Sequence, residues 1–142
     1  MLLCLRATGA SARCARAAVT LCAVLACSVF ATAQDKKSVR AGVYTDAQAE
    51  RGQTLFRSKC AGCHAPNRFT DDLFYGSFAG KPLWDMFDVI SDTMPEDDPG
   101  GMKKEEYADV IAYLLKLNNF PTGPTELPID KDALSAIVME KP

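Results

Sequence analysis

Cys60-Ala61-Gly62-Cys63-His64 sets two thiols three residues apart and an imidazole directly behind the second; His64 is the only histidine of the 142-residue chain. Three chemistries use such a group. A redox-active Cys-x-x-Cys normally follows a strand and opens a helix, whose N-terminus lowers the pKa of the first thiol. Here the preceding residues read as a helix that the cysteine pair ends, so this reading is disfavoured. A closed zinc site wants four ligands, and no Cys or His follows His64. The third chemistry fits the spacing. Cys-x-x-Cys-His is the attachment motif of c-type haem: two thiols add to the porphyrin vinyl groups as thioethers. The next residue is then held beneath the iron, where an imidazole nitrogen can ligate it.

An iron held by His64 takes a sixth ligand or leaves that face open. After the leader, the methionines are Met86, Met94, Met102 and Met139. Met86 lies in a short amphipathic helix with Pro82 at its first turn and Leu83, Met86, Phe87 and Ile90 on the inner face, so it reads as packing. Met94 stands instead in Ser91-Asp92-Thr93-Met94-Pro95-Glu96-Asp97-Asp98-Pro99-Gly100-Gly101, a run of turn residues. Pro95 pushes Met94 out of helical geometry. A thioether on a stiff loop is what a soft axial ligand requires. Met94 is the expected ligand and Met102 the fallback.

Two helices must hold these groups. Thr45-Asp46 can cap the first, an acid follows in the first turn, and Gly52, Phe56 and Cys60 recur every four residues. The second runs from Lys103 to Leu117 with Val110, Ile111 and Leu114 as its apolar stripe. A glycine inside a helix costs about 1 kcal/mol against alanine, so Gly52 is expected to serve close packing. Beyond Leu117 the chain is Pro-rich to Pro128. Asp130 can then cap a segment carrying Leu134, Ile137 and Val138, whose apolar character implies that residues 118–142 fold back on the domain.

Residues 1–33 carry Arg6, Arg13 and Arg16, no acid, an apolar run from Ala17 to Ala31 and the ending Ala31-Thr32-Ala33. That is the pattern of a secretory signal peptide, too short in its apolar run to span a membrane. A mitochondrial transit peptide is disfavoured by the uninterrupted apolar core. Val24-Leu25-Ala26-Cys27 is a poor lipobox that would tether the product to a membrane through Cys27. Four of the six cysteines lie in this leader. Without it, 13 Lys and Arg face 18 Asp and Glu, a net charge of −5. No basic patch for nucleic acid survives, and two cysteines cannot staple a disulfide scaffold. Residues 34–44 read as a flexible segment, and 45–142 as one domain.

The first helix with Cys60, Cys63 and His64, Met94-Pro95 some thirty residues later, and the helix ending at Leu117 resemble class I cytochrome c. The resemblance implies an all-α fold of three to five short helices around one covalent haem c, with the first and last helices crossing, so that Gly52 is expected beside Tyr113 and Phe56 against Val110 or Leu114. It implies His64 and Met94 as iron ligands and single-electron transfer as the function. It also implies Pro66 as a carbonyl acceptor for the His64 imidazole, and Trp84 either as a donor to a haem propionate or as a pocket wall. A spacing from His64 to Met94 shorter than in mitochondrial cytochrome c implies a trimmed loop. More narrowly, Thr93-Met94-Pro95, Tyr107-Ala108-Asp109-Val110, Asn118-Asn119-Phe120-Pro121 and Glu126-Leu127-Pro128 are similar to bacterial cytochromes found beside quinoprotein (PQQ) dehydrogenases. By analogy, that implies a periplasmic, non-enzymatic carrier or dehydrogenase subunit, with a dehydrogenase as donor and a cytochrome or oxidase as acceptor. The alternative is a five-coordinate haem acting as gas sensor or peroxidase-like enzyme, for which the chain offers no second histidine.

Overall fold

The computed structural model describes residues 36–142. The leader, its cleavage after Ala33 and the alternative anchor at Cys27 lie outside the described residues. In order come β1 (Lys37–Ser38), a 3-10 turn (Val39–Ala41), α1 (Asp46–Leu55) and a π-helical turn (Phe56–Cys60). A second 3-10 turn (Pro66–Phe69) leads to α2 (Asp72–Phe78), α3 (Leu83–Thr93), α4 (Lys104–Leu117), α5 (Lys131–Ser135) and β2 (Ile137–Val138). The fold is all-α, with one two-residue strand pair added. No helix among the described residues is long and apolar enough to cross a membrane.

Local chemistry sets the helix starts. The Thr45 hydroxyl accepts from Gln48 N–H at the head of α1, Asp71 caps α2 through Phe74 N–H, and Asp130 caps α5 through Ala133 N–H. Each satisfies an amide that the helix itself leaves without a partner. At α4 the Glu106 carboxylate accepts from Lys103 N–H at 2.8 Å, the reciprocal half of a capping box.

Helices α1 and α4 make the most extensive helix–helix contact in the fold. Gly52 is the reason they approach so closely: a Cβ there would overlap the Asp109 carbonyl and stand 3.0 Å from Tyr113 Cβ. Phe56, 1% exposed, meets Tyr113 and Phe69 at ring centroid distances of 5.3 and 5.5 Å. The expected apolar stripe of α4 is wider than a stripe. Every residue from Tyr107 to Leu115 is buried, because α1, α3 and the flanking segments cover the helix on all sides. Asp109 falls inside that stretch and is held by both arms of Arg51, at 2.9 Å each.

The segment from Lys36 to Tyr44, expected to be flexible, is instead built into the fold. Val39 and Tyr44 are fully buried, β1 pairs in parallel with β2, and Tyr44 Oη donates to Phe120 O at 2.6 Å. Apolar residues at 39, 43 and 44 explain the difference, since their burial outweighs the turn-like composition around them.

The tail does fold back. Leu127, Leu134, Ile137 and Met139 are all at most 5% exposed. Gln48 carries the Pro-rich part: its side-chain oxygen accepts from Leu127 N–H at 2.7 Å and its amide donates to Leu127 O at 3.3 Å.

Candidate haem site

The cysteine motif sits where α1 gives out. The π turn closes with Ala61 N–H donating to Phe56 O at 2.8 Å, and Cys63 and His64 N–H then both donate to Cys60 O, at 3.1 and 2.9 Å. Three residues of the motif thus share one tight turn at a helix end, as the sequence implied. Cys60 is half-buried and Cys63 exposed, and both are free thiols. Burial pushes the Cys60 thiol up from its ordinary value. A redox or nucleophilic cysteine needs the opposite shift.

The His64 imidazole is half-buried and meets the Phe69 ring edge-on at 5.8 Å. Phe69 in turn touches Phe56 and Phe74, at 5.5 and 5.9 Å. Its carbonyl accepts from Asn118 Nδ2 at 2.9 Å. Asn118 is 3% exposed and fully used: it also donates to Leu114 O at 2.7 Å and accepts from Tyr75 Oη. The sequence singles out Asn118 only within the segment 118–121 and attaches no role to Phe69, although an Asn directly after a long helix is a capping signal. Pro66 opens the exposed 3-10 turn beside His64, and among the described residues no hydrogen bond joins it to the imidazole.

Met94 closes α3. Its N–H donates to Ile90 O at 3.0 Å, and its own backbone is extended, at φ −127° and ψ 150°. Tyr107 Oη donates to Met94 O at 2.7 Å. Met94 and Met102 are half-buried, whereas Met86 and Met139 are each 1% exposed and belong to the core. Trp84 is half-buried, stacked on Phe87 at 5.5 Å and 23°, with Lys131 Nζ 5.4 Å from its ring. The indole therefore packs between α3 and α5, and no hydrogen bond of its N–H is present among the described residues.

Both candidate ligand segments are tied to α4 and its cap. Tyr107, in the first turn, holds Met94; Asn118, just past the last turn, holds the carbonyl of Phe69, whose ring touches His64. The two ties stand eleven positions apart along α4 and its cap, about 16 Å along the axis. One rigid rod thereby spaces the His64 segment from the Met94 segment. Cys60, in the motif, Phe69, beside His64, and Ile90 and Met102, flanking Met94, are partly buried apolar groups packed against the core, so both segments carry apolar surface. Two thiols, one imidazole and one half-buried thioether are a donor set that suits haem c and its iron. No cluster of three or more His, Cys, Asp or Glu able to hold a bare metal ion occurs among the described residues. Two surface cavities among the described residues, of about 290 and 200 Å³, are lined instead around Tyr75 with Asn118 and around Gln53 with Tyr113.

Residues 47–114 match the family described as "Cytochrome C oxidase, cbb3-type, subunit III". No curated protein and no solved structure matches the chain. The match spans α1, the cysteine motif, the Met94 loop and α4 as far as Leu114, so that residues 47–114 are a class I c-type cytochrome domain, which carries covalently bound haem c.

Proposed function

We propose that the chain is a periplasmic single-electron carrier in which Cys60 and Cys63 anchor haem c and His64 and Met94 ligate its iron. The observation that carries the reading is the arrangement of His64 and Met94 on two segments tied to opposite ends of one buried helix. When bound, haem c supplies an iron centre that gains and loses one electron without change of ligands. The chain's own work is then to hold still. The helix-end turn fixes His64, the extended stem fixes Met94, and buried Tyr107 and Asn118 tie both to α4. The apolar surroundings favour the less charged, reduced state, and a thioether ligand favours it further. No base or nucleophile is needed, and the protein by itself is not an enzyme. The donor we propose is a quinoprotein dehydrogenase, on the sequence similarity of the Met94, Tyr107 and tail segments. The acceptor is a second cytochrome or an oxidase; the matched family is named for an oxidase subunit, which supports the latter.

The test is a potentiometric titration of the haem-loaded protein, followed by its visible spectrum, beside Met94→Ala. A six-coordinate parent of positive potential, with a variant that drops in potential and binds carbon monoxide, is the expected result. A parent of low potential that already binds carbon monoxide would replace the carrier reading with gas or peroxide chemistry.

A further inference from the structure

The Tyr107 hydroxyl stands at the neck of the loop that bears Met94. The ring is 2% exposed, on the first turn of α4, with Phe87 edge-on at 6.3 Å. Its Oη donates its single proton to Met94 O at 2.7 Å and accepts from Met102 N–H at 3.4 Å. A phenol has one proton to give and lone pairs to receive, so one hydroxyl bridges the two stems of the 95–101 loop. Inside the loop only two turn bonds hold the chain, from Asp98 N–H to Pro95 O at 3.0 Å and from Gly101 N–H to Asp98 O at 2.9 Å. With Pro95, Pro99, Gly100 and Gly101 among its seven residues, the loop has little other backbone pairing to keep its neck closed.

The two bonds at Met94 act together. Its N–H is anchored to Ile90 O at the end of α3, and its carbonyl to Tyr107 at the start of α4. Both peptide planes flanking Met94 are therefore fixed, which fixes the direction of its Cα–Cβ bond. Only the side-chain torsions remain free. We infer that Tyr107 is a positioning residue for the axial thioether: its hydroxyl clasps the Met94 loop and holds the sulfur in ligating range. This rests on Met94 being the ligand. Gross packing is a separate matter, because a phenylalanine ring would fill the same space.

The experiment measures cyanide binding to the ferric, haem-loaded protein by stopped flow, for the parent, Tyr107→Phe and Met94→Ala, with a denaturant midpoint for each. Cyanide enters when the thioether leaves, so its saturating rate reads how often Met94 lets go. Loss of one hydrogen bond that restrains the ligand is expected to raise that rate roughly tenfold. Met94→Ala should bind far faster, without saturation. Tyr107→Phe should also lose the absorption of the sulfur-ligated ferric state at a lower pH than the parent. A Tyr107→Phe rate equal to the parent's, with Met94→Ala fast, overturns the clasp and leaves the ligand in place. A Met94→Ala rate equal to the parent's overturns the ligand assignment, and the clasp with it. Should Tyr107→Phe fail to take up haem, 3-fluorotyrosine at position 107 keeps the ring and strengthens the donor. A cyanide rate below the parent's then supports the clasp, and an unchanged rate overturns it.

Discussion

Gly52 on α1 lies against the backbone of Asp109 on α4, so close that a side chain at 52 would occupy the Asp109 carbonyl oxygen. Helix propensity and packing pull in opposite directions here. Alanine in place of a helical glycine gains about 1 kcal/mol where nothing intervenes. At 52 the overlap is with backbone, which cannot swing aside, and separating two helices at the core of the fold outweighs that gain. Gly52→Ala is expected to destabilise the haem-loaded protein by about 2–3 kcal/mol. Gly76, inside α2, has open space where its Cβ would be, and Gly76→Ala should stabilise by about 0.5–1 kcal/mol. Urea midpoints of the two variants check the opposite signs; equal signs would remove close approach as the reason for Gly52.

Arg51 joins three parts of the chain. Both its arms reach the Asp109 carboxylate, and one also reaches Glu126 in the tail, each at 2.9 Å. Asp109, chiefly through its hydrogen bonds, and Glu126 hold the guanidinium above its ordinary range. Asp109 is buried, while Arg51 and Glu126 are about half exposed. Arg51→Met strands a buried carboxylate and should cost about 1–3 kcal/mol. Glu126→Gln, on the solvent side, should cost less than about 1 kcal/mol. Thermal unfolding of both variants distinguishes the two arms, and a larger loss for Glu126→Gln would reverse this ranking.

The Tyr44 phenol is pushed up to about 12, from an ordinary 10.0, first by burial and then by the nearby Asp46 carboxylate. A phenol raised in the folded state contributes stability that is present below pH 10.0 and lost as pH rises through about 12. The native phenol also donates to Phe120 O, tying the N-terminal segment to the tail. Alkaline titration should show Tyr44 ionising only as the tail detaches, with Tyr44→Phe removing that part of the phenolate absorbance. A Tyr44 that ionises near 10 with the fold intact would contradict its burial.

Glu96, Asp97 and Asp98 are exposed beside Met94, and none forms an ion pair among the described residues. Asp85, Asp88 and Asp92 extend the acidity along one face of α3, opposite its buried Leu83, Met86 and Phe87. Such a field attracts cations at low ionic strength and is screened at high. Replacing Glu96, Asp97 and Asp98 by their amides is expected to slow oxidation by a cationic complex such as tris(1,10-phenanthroline)cobalt(III) at low salt. Ferricyanide should be accelerated under the same conditions. Unchanged rates for both reagents would mean that these acids are a solvated turn.

Residue type and short-range spacing, by themselves, determined the haem motif, the candidate ligand on its proline-stiffened stem, the caps at Thr45 and Asp130, and Gly52 as a point of close approach. These are legible because each depends on a handful of neighbouring residues and on chemistry that few side chains share. The tertiary structure alone decided what holds them. In the sequence Tyr107 and Asn118 stand only as members of segments that carry a resemblance, with no structural role attached, and Gln48 as a polar residue of α1. Their roles come from partners brought close by the crossing of α1 and α4 and by the return of the tail, as with Asn118 and Phe69 or Gln48 and Leu127. The same holds for the N-terminal segment, whose turn-like composition hid a buried Val39 and Tyr44. Hydrogen bonding and burial between distant segments depend on the folded path of the chain, and periodicity along the sequence carries no record of that path.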